Sequence, residues 1–204
     1  MHPQPAADPP SGDCTLLIEI PGIRWDAADA HRARRRVPDL EVDILTAVSA
    51  EETWFYIPDQ STQELDDARQ AGGLLATMLG LGPDALPEFR CRRLTGLLKL
   101  GDASHGRQQS WHYTSQTDVP ETTEEEFNRW FDREHLPQLA GLGGTVHAAR
   151  YRTDGSPRYL ACYDLTAREV QGSPEWRAAI ESPWRDRMHH QFIGPRRLML
   201  RRLH

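Results

Sequence analysis

His135 stands two residues before Pro137 in the stretch "EEEFNRWFDREHLPQL", Glu124 to Leu139. Imidazole titrates near neutral pH, so it serves readily as general acid or base. At 100° per residue, Phe127, Trp130, Phe131 and Glu134 share one band of a helix, with His135 at its edge. A carboxylate on that apolar band needs a partner or a raised pKa, so Glu134 either orients His135, acts as a base itself, or rotates into solvent. Proline disfavours helical backbone in the residue before it. Leu136 is therefore expected to leave the helix, bending the chain and freeing a carbonyl near Arg133. Two readings follow: His135 is a proton carrier aimed into space beneath the helix, or it satisfies that carbonyl. Spacing alone favours the second.

The element carrying this stretch starts at Thr122 or Thr123, either of which can form a capping box with Glu125 or Glu126. The three glutamates fit helix initiation better than catalysis. Downstream, "TVHAARYRT" and "PRYLACYDL" read as a hairpin across Asp154-Gly155. A two-residue turn there sets Arg150 opposite Tyr159, Ala148 opposite Ala161 and Val146 opposite Tyr163 on one face. The other face pairs Tyr151 with Arg158, Ala149 with Leu160 and His147 with Cys162. Both faces mix alanine with large polar-tipped residues, as a pocket floor or tight packing requires. His112 in "SWHYTS" reads first as a core or surface residue and second as a cavity residue.

Strand-like runs before this half are Cys14–Ile20, Leu40–Val48, Thr53–Pro58 and Phe89–Leu100. Helical patterns lie between them at Asp26–Arg36 and Thr62–Gly82. After the loop Gly101–Gly106 come a strand from Gln108, the helix from Thr122, the hairpin, a helical stretch Val170–Ile180 and a last strand in "RRLMLRRL". The order is β-α-β-β-α-β, twice. Each set is a split βαβ unit, whose open sheet face needs cover. The expected fold is α+β, with two ferredoxin-like units in one chain forming a pseudo-dimeric α/β barrel and helices outside. The expected division is a disordered tail over 1–13, an N-terminal half over 14–106 and a C-terminal half over 107–204 that carries the site.

Of the 204 residues, 38% are hydrophobic and 26% charged, with net charge -6, which describes a globular chain without the positive field of a nucleic-acid binder. No apolar run is long enough to span a bilayer. Three cysteines without metal-like spacing fit a reducing cytoplasm. There is no P-loop, Rossmann fingerprint or nucleophile elbow, and His189-His190 lacks a third ligand at useful spacing. No metal and no cofactor is expected.

The second half resembles the EthD-like branch of the dimeric α/β-barrel superfamily. The features run in order: "TEEEFNRWFDREHLPQL", a Gly turn, "AARY", "PRYLACYDL", "SPEW" and "SPW". Trp130, His135, Pro137 and the pair Arg150-Tyr151 are the most specific of them. The likeness covers about Gln108 to His204. It departs at Gly143-Gly144-Thr145, where the family has Pro-Gly and an aromatic, so Thr145 is expected to enlarge the adjacent space.

The resemblance places His135 ahead as a proton carrier and implies a cofactor-independent enzyme for a small apolar, aromatic or polyketide-like substrate: an isomerase, cyclase or lyase. His135 and Glu134 are the catalytic candidates. Trp130, Phe131, Arg150, Tyr151, His112, Tyr159 and Tyr163 are the substrate-binding candidates. The alternatives are a non-catalytic small-molecule binding protein or a haem-binding or monooxygenase relative. The implied partner is a small molecule, with no nucleic acid and no membrane. The pseudo-dimer is within one chain, and further homodimerisation is left open.

Overall fold

The computed structural model describes residues 14–58, 68–101, 104, 106–153 and 155–204. The expected tail, the residues 62–67 of the second helix and Asp154 of the turn lie outside them. Eight strands close a barrel in the order β1-β3-β2-β8-β5-β7-β6-β4, with every neighbouring pair antiparallel. The strands are β1 Cys14–Pro21, β2 Asp43–Ala47, β3 Glu52–Pro58, β4 Arg90–Leu100, β5 Trp111–Asp118, β6 Thr145–Arg152, β7 Tyr159–Leu165 and β8 Ile193–Arg202. The first four form one sheet, 4-1-3-2, and the last four repeat that order. Ladders β4·β6 and β2·β8 join the two sheets. Closure leaves neither sheet with an unpaired edge.

Helices α1, Ala27–Arg36, and α2, Ala68–Leu79, cover the outer face of the first sheet. Asp26 and Asp29 form a reciprocal capping box that starts α1. The small Ala30 and Ala33 let α1 sit close on Ile18, Ile44 and Ile57. Over the second sheet lie α3 Glu121–Trp130, α4 Leu136–Ala140, α5 Pro174–Ile180 and α6 Pro183–His189. The sequence pattern ran Val170–Ile180 as one helix and missed α6. Ser173 and Ser182 cap α5 and α6, each followed by a proline at the first helical position, so the chain stops and restarts between them.

Three local expectations are corrected. First, α3 starts after Pro120 with no side-chain cap bond, and Thr123 Oγ1 donates to the Pro120 carbonyl instead of closing a box. Second, the chain does not break before Pro137. Trp130, Phe131, His135 and Leu136 all keep right-handed helical backbone, and a π-helical turn over Phe131–His135 carries α3 into α4. The Leu136 N–H donates to the Phe131 carbonyl, five residues back. The wider turn accommodates the residue that has no N–H to give.

Third, the hairpin is longer than two residues. The Thr153 N–H donates to the Arg158 carbonyl at 2.9 Å, and Arg150 faces Ala161, Ala148 faces Tyr163 and Tyr151 faces Leu160. The register slips by two from the expected one, which keeps the side chains from His147 to Arg152 on their expected faces, up to a bulge between Thr145 and His147. Earlier in the chain, Gly144 has φ +95° and a β-carbon there would meet Val170 at 2.6 Å, so this turn needs glycine.

Period-two alternation gives the barrel an inside and an outside. Outward residues of β5 to β8, such as Ala148, Arg150, Tyr159, Ala161 and Tyr163, pack under α3 to α6. Inward residues form an apolar waist of Leu17, Leu45, Trp54, Leu94, Leu160, Leu198 and Leu200. Polar side chains gather at both ends of that waist. At one end, Glu19 and Glu52 are paired with Arg92 and Arg196. At the other, Asp43, Tyr56, His112, Asp164 and Arg202 surround a cavity.

Candidate functional site

The cavity at this second end has a volume of about 190 Å³. Strand pairing builds its chemistry. β5 and β7 run antiparallel with His112 directly opposite Asp164, and both side chains point inward. His112 Nδ1 lies 2.7 Å from Asp164 Oδ1. An ionised carboxylate only accepts, so Nδ1 carries a proton and Nε2 faces the other way. There, Tyr56 reaches across from β3, its Oη 3.1 Å from His112 Nε2. Cys162 Sγ is 3.6 Å from the same Oη.

Asp164 serves a second imidazole as well: His147 Nδ1 is 3.7 Å from Asp164 Oδ2. Arg202 Nη2 lies 2.9 Å from Asp164 Oδ1 and its Nε lies 2.9 and 2.8 Å from the two oxygens of Asp43. Burial works against charge on Asp164, but His112, His147 and Arg202 outweigh it and hold the carboxyl well below the usual range. Burial also opposes charge on His112, and here Cys162 and Asp164 outweigh it, lifting the pKa to about 10. Burial, then Cys162, push the Tyr56 phenol well up, so it stays protonated. The two imidazoles on one carboxylate differ in exposure: the His112 side chain is 7% exposed and that of His147 38%.

A smaller space of about 60 Å³ lies outside the barrel, between the second sheet and its helices. His135, Tyr113, Tyr163, Trp176, His189 and Phe192 are among its walls. The π-helical turn positions His135, which stacks on Trp130 and meets Phe131 edge-on. Burial, then His189, Arg185, Arg197 and Arg150, lower its pKa to about 3. Burial and the same two arginines, Arg185 and Arg197, lower His189 to about 4. The Tyr163 hydroxyl is buried with no hydrogen-bond partner among the described residues, and burial raises its pKa.

The structure divides the sequence candidates between the two places. His135, Trp130, Phe131, Tyr159 and Tyr163 lie on the helix side. Arg150 is there too, 1% exposed, its guanidinium about 5 Å from the ring centres of Phe127, Phe131 and Tyr159 and bonded to Asp132 and Asn128. Glu134 accepts from Trp130 Nε1 at 3.2 Å and from Ser182 Oγ, which ties α3 to the start of α6. His135 is not among these partners. His112 and Tyr151 line the barrel cavity instead. Thr145 is 1% exposed at the start of β6 and lines neither space.

Sequence reasoning passed over Tyr56, His147, Cys162, Asp164 and Arg202 as site residues. Tyr56 and His112 belong to different halves, and no local pattern says that they meet. The strand carrying His112 was legible, but the face it turns inward was not, and its partner depended on the β5·β7 register.

No family model matches the chain, and no curated protein matches it in sequence. Its fold is found in solved structures. A candidate monooxygenase from Fusobacterium nucleatum aligns with TM-score 0.64 at 10% identity, over 96% of this chain and 94% of that one. A ferredoxin-fold protein related to antibiotic biosynthesis monooxygenases, from Listeria monocytogenes, aligns with TM-score 0.54 at 9% identity, over 93% and 94%. A mutant chlorite dismutase from Candidatus Nitrospira defluvii, in complex with cyanide, aligns with TM-score 0.62 at 9% identity, over 93% and 90%. At these identities the likeness is one of fold: an α+β barrel of ferredoxin-like units.

Proposed function

We propose that the protein is a cofactor-independent enzyme that moves protons on a small carbonyl or phenolic ligand held at the His112 end of the barrel. The observation that carries this reading is Asp164, which holds one imidazole on each oxygen while both imidazoles face one cavity. His112 is the acid: its proton reaches the ligand oxygen through the Tyr56 hydroxyl. His147, half-exposed at the mouth, is the base that takes a proton from carbon. Groups of one kind in unlike surroundings divide acid and base duty in this way. General acid–base catalysis of this kind contributes about 10²–10⁴-fold. Isomerisation, cyclisation and elimination all need these two transfers, and the EthD-like resemblance of the second half supports a small-molecule enzyme.

Volume favours this cavity over the space beside His135. An apolar cavity of roughly 150 Å³ holds benzene, so 190 Å³ accepts one ring. The 60 Å³ beside His135 holds about two waters. His135, with its pKa near 3, is also a weak base there. Haem, the alternative that the resemblance also implies, does not fit beside His135: the space there is far below the roughly 300–1,000 Å³ of ligand pockets, and Trp130 and Phe131 already pack the imidazole.

Cyclohexanone is a suitable one-ring probe. Exchange of its α-protons with solvent deuterium, followed by NMR, should run at least about 10²-fold above buffer with the parent protein. His112→Gln and His147→Gln should each remove most of that acceleration. Binding of cyclohexanone without exchange would make the protein a carrier and end the enzymatic reading.

A further inference from the structure

The thiol at the cavity wall has no part in the proton transfers above. Cys162 is 4% exposed, and its strand neighbour in the β6·β7 ladder is Ala149, which leaves open space beside the sulfur. Its Sγ lies 3.6 Å from Tyr56 Oη, which lies 3.1 Å from His112 Nε2, whose other nitrogen is held by Asp164 at 2.7 Å. A nucleophile, a relay, a protonated imidazole and an orienting carboxylate thus stand in sequence around one cavity. The imidazole supports the sulfur through the tyrosine hydroxyl and has a proton to return to carbon. The other two cysteines, Cys14 and Cys91, are half-buried and line no part of this cavity.

We propose that Cys162 is a nucleophile for small α,β-unsaturated carbonyl compounds, adding reversibly to the β-carbon of a ligand held by the Tyr56–His112 string. The proposal rests on the barrel cavity being the ligand site. The atoms balance without an oxidant or reductant. The thiol gives up its proton to solvent as the sulfur–carbon bond forms. The π electrons of the C=C bond move to the carbonyl oxygen, giving an enolate. The His112 imidazolium then delivers a proton through Tyr56 to the α-carbon and is reprotonated from solvent, so that sulfur and hydrogen have added across the double bond. Reversal expels the thiol. In an open-chain ligand, rotation about the former double bond before expulsion returns either alkene geometry. The device therefore gives the enzyme a route to cis–trans isomerisation that simple enolisation lacks.

Cyclohex-2-enone, which differs from cyclohexanone only by the double bond, tests this. The parent protein is incubated with it at neutral pH, and adducts at the three cysteines are timed by peptide mass spectrometry. Cys162 should be modified at least about tenfold faster than Cys91. Tyr56→Phe and His112→Gln should each slow Cys162 at least about tenfold and leave Cys14 unchanged. A variant that had lost its fold would instead label all three cysteines quickly, and Tyr56→Phe, which keeps the ring, guards against that outcome. Failure of Cys162 to react ahead of Cys91, or equal rates in parent and Tyr56→Phe, would overturn the proposal. If cyclohexanone exchange persists in that case, only the nucleophile is lost; if exchange is absent too, the cavity reading fails with it.

Discussion

The imidazole of His135 lies over the indole of Trp130, with ring centres 4.5 Å apart and planes 28° apart. Phe131 meets the same imidazole edge-on at 4.9 Å. A neutral imidazole stacks in such a place at little cost, whereas an imidazolium loses its water and faces Arg185, Arg197 and Arg150.

This has a consequence for stability at acid pH. The folded pKa of His135, about 3, lies below its ordinary 6.5. The unfolded chain therefore binds more protons between those values. The stabilisation is complete above pH 6.5 and is lost as the pH falls toward 3. His189, lowered to about 4, acts in the same direction. Denaturant titrations of parent and His135→Gln should diverge with pH, the parent losing more than about 1 kcal/mol of its advantage between pH 6.5 and 4. Parallel curves would place His135 in contact with solvent.

His112 has the opposite sign. Its folded pKa, about 10, lies above 6.5, so the stability it adds is present below pH 6.5 and fades as the pH rises through 10. His112→Gln should flatten the alkaline limb of the stability profile. The chemical shift of the His112 imidazole should likewise report the charged form at pH 7.

The buried guanidinium on β6 gives an asymmetric pair of mutants. Asp132 is 48% exposed at its side chain, whereas Arg150 is 1% exposed. Asp132→Ala leaves a buried cation with Asn128 as its remaining polar partner and should cost about 2 kcal/mol, below the usual range for a fully buried pair. Arg150→Met leaves only a half-solvated carboxylate and refills the space among the rings, so it should cost less than Asp132→Ala. Thermal unfolding of both variants measures the difference, and a larger loss for Arg150→Met would show that the ring contacts outweigh the charge.

Cutting the chain at the loop before β5 exposes the strand edges that ladders β4·β6 and β2·β8 cover. A fragment from Gly106 to His204 carries β5 to β8 with β6 and β8 open, and with one side of its sheet apolar. It should self-associate, as sedimentation would show, and should form a one-to-one complex with the complementary fragment. A monomeric, cooperatively folding fragment would count against the interlocked barrel.

The double βαββαβ order was legible because strand and helix periods differ and each run is bounded by turn residues. Face assignments on β6 and β7 were legible too, since a slip of two preserves parity, as Arg150 opposite Ala161 shows. The π-helical turn was not, because the rule that proline ends a helix holds for a ladder spaced by four. Nor was the partnership of Tyr56 with His112, which are 56 residues apart and brought together only by closure of the barrel. His135 stands out by local context, whereas His112 is embedded in an ordinary strand. The signal for His112 was limited to a basic residue within a strand-forming run, "SWHYTS".

Closure within one chain also breaks a symmetry that a barrel of two identical subunits must keep. In a two-fold assembly every inward side chain appears twice around the axis, so one histidine at the mouth means two, and one acid means two. Here β1 stands where β5 stands in the other sheet, and at the cavity it presents Thr15 rather than a second imidazole. Likewise β3 supplies Tyr56 where β7 supplies Cys162 and Asp164. The fused chain can therefore give each side of one small chamber a different task, at the expense of having one such chamber where a symmetric dimer would carry matched halves.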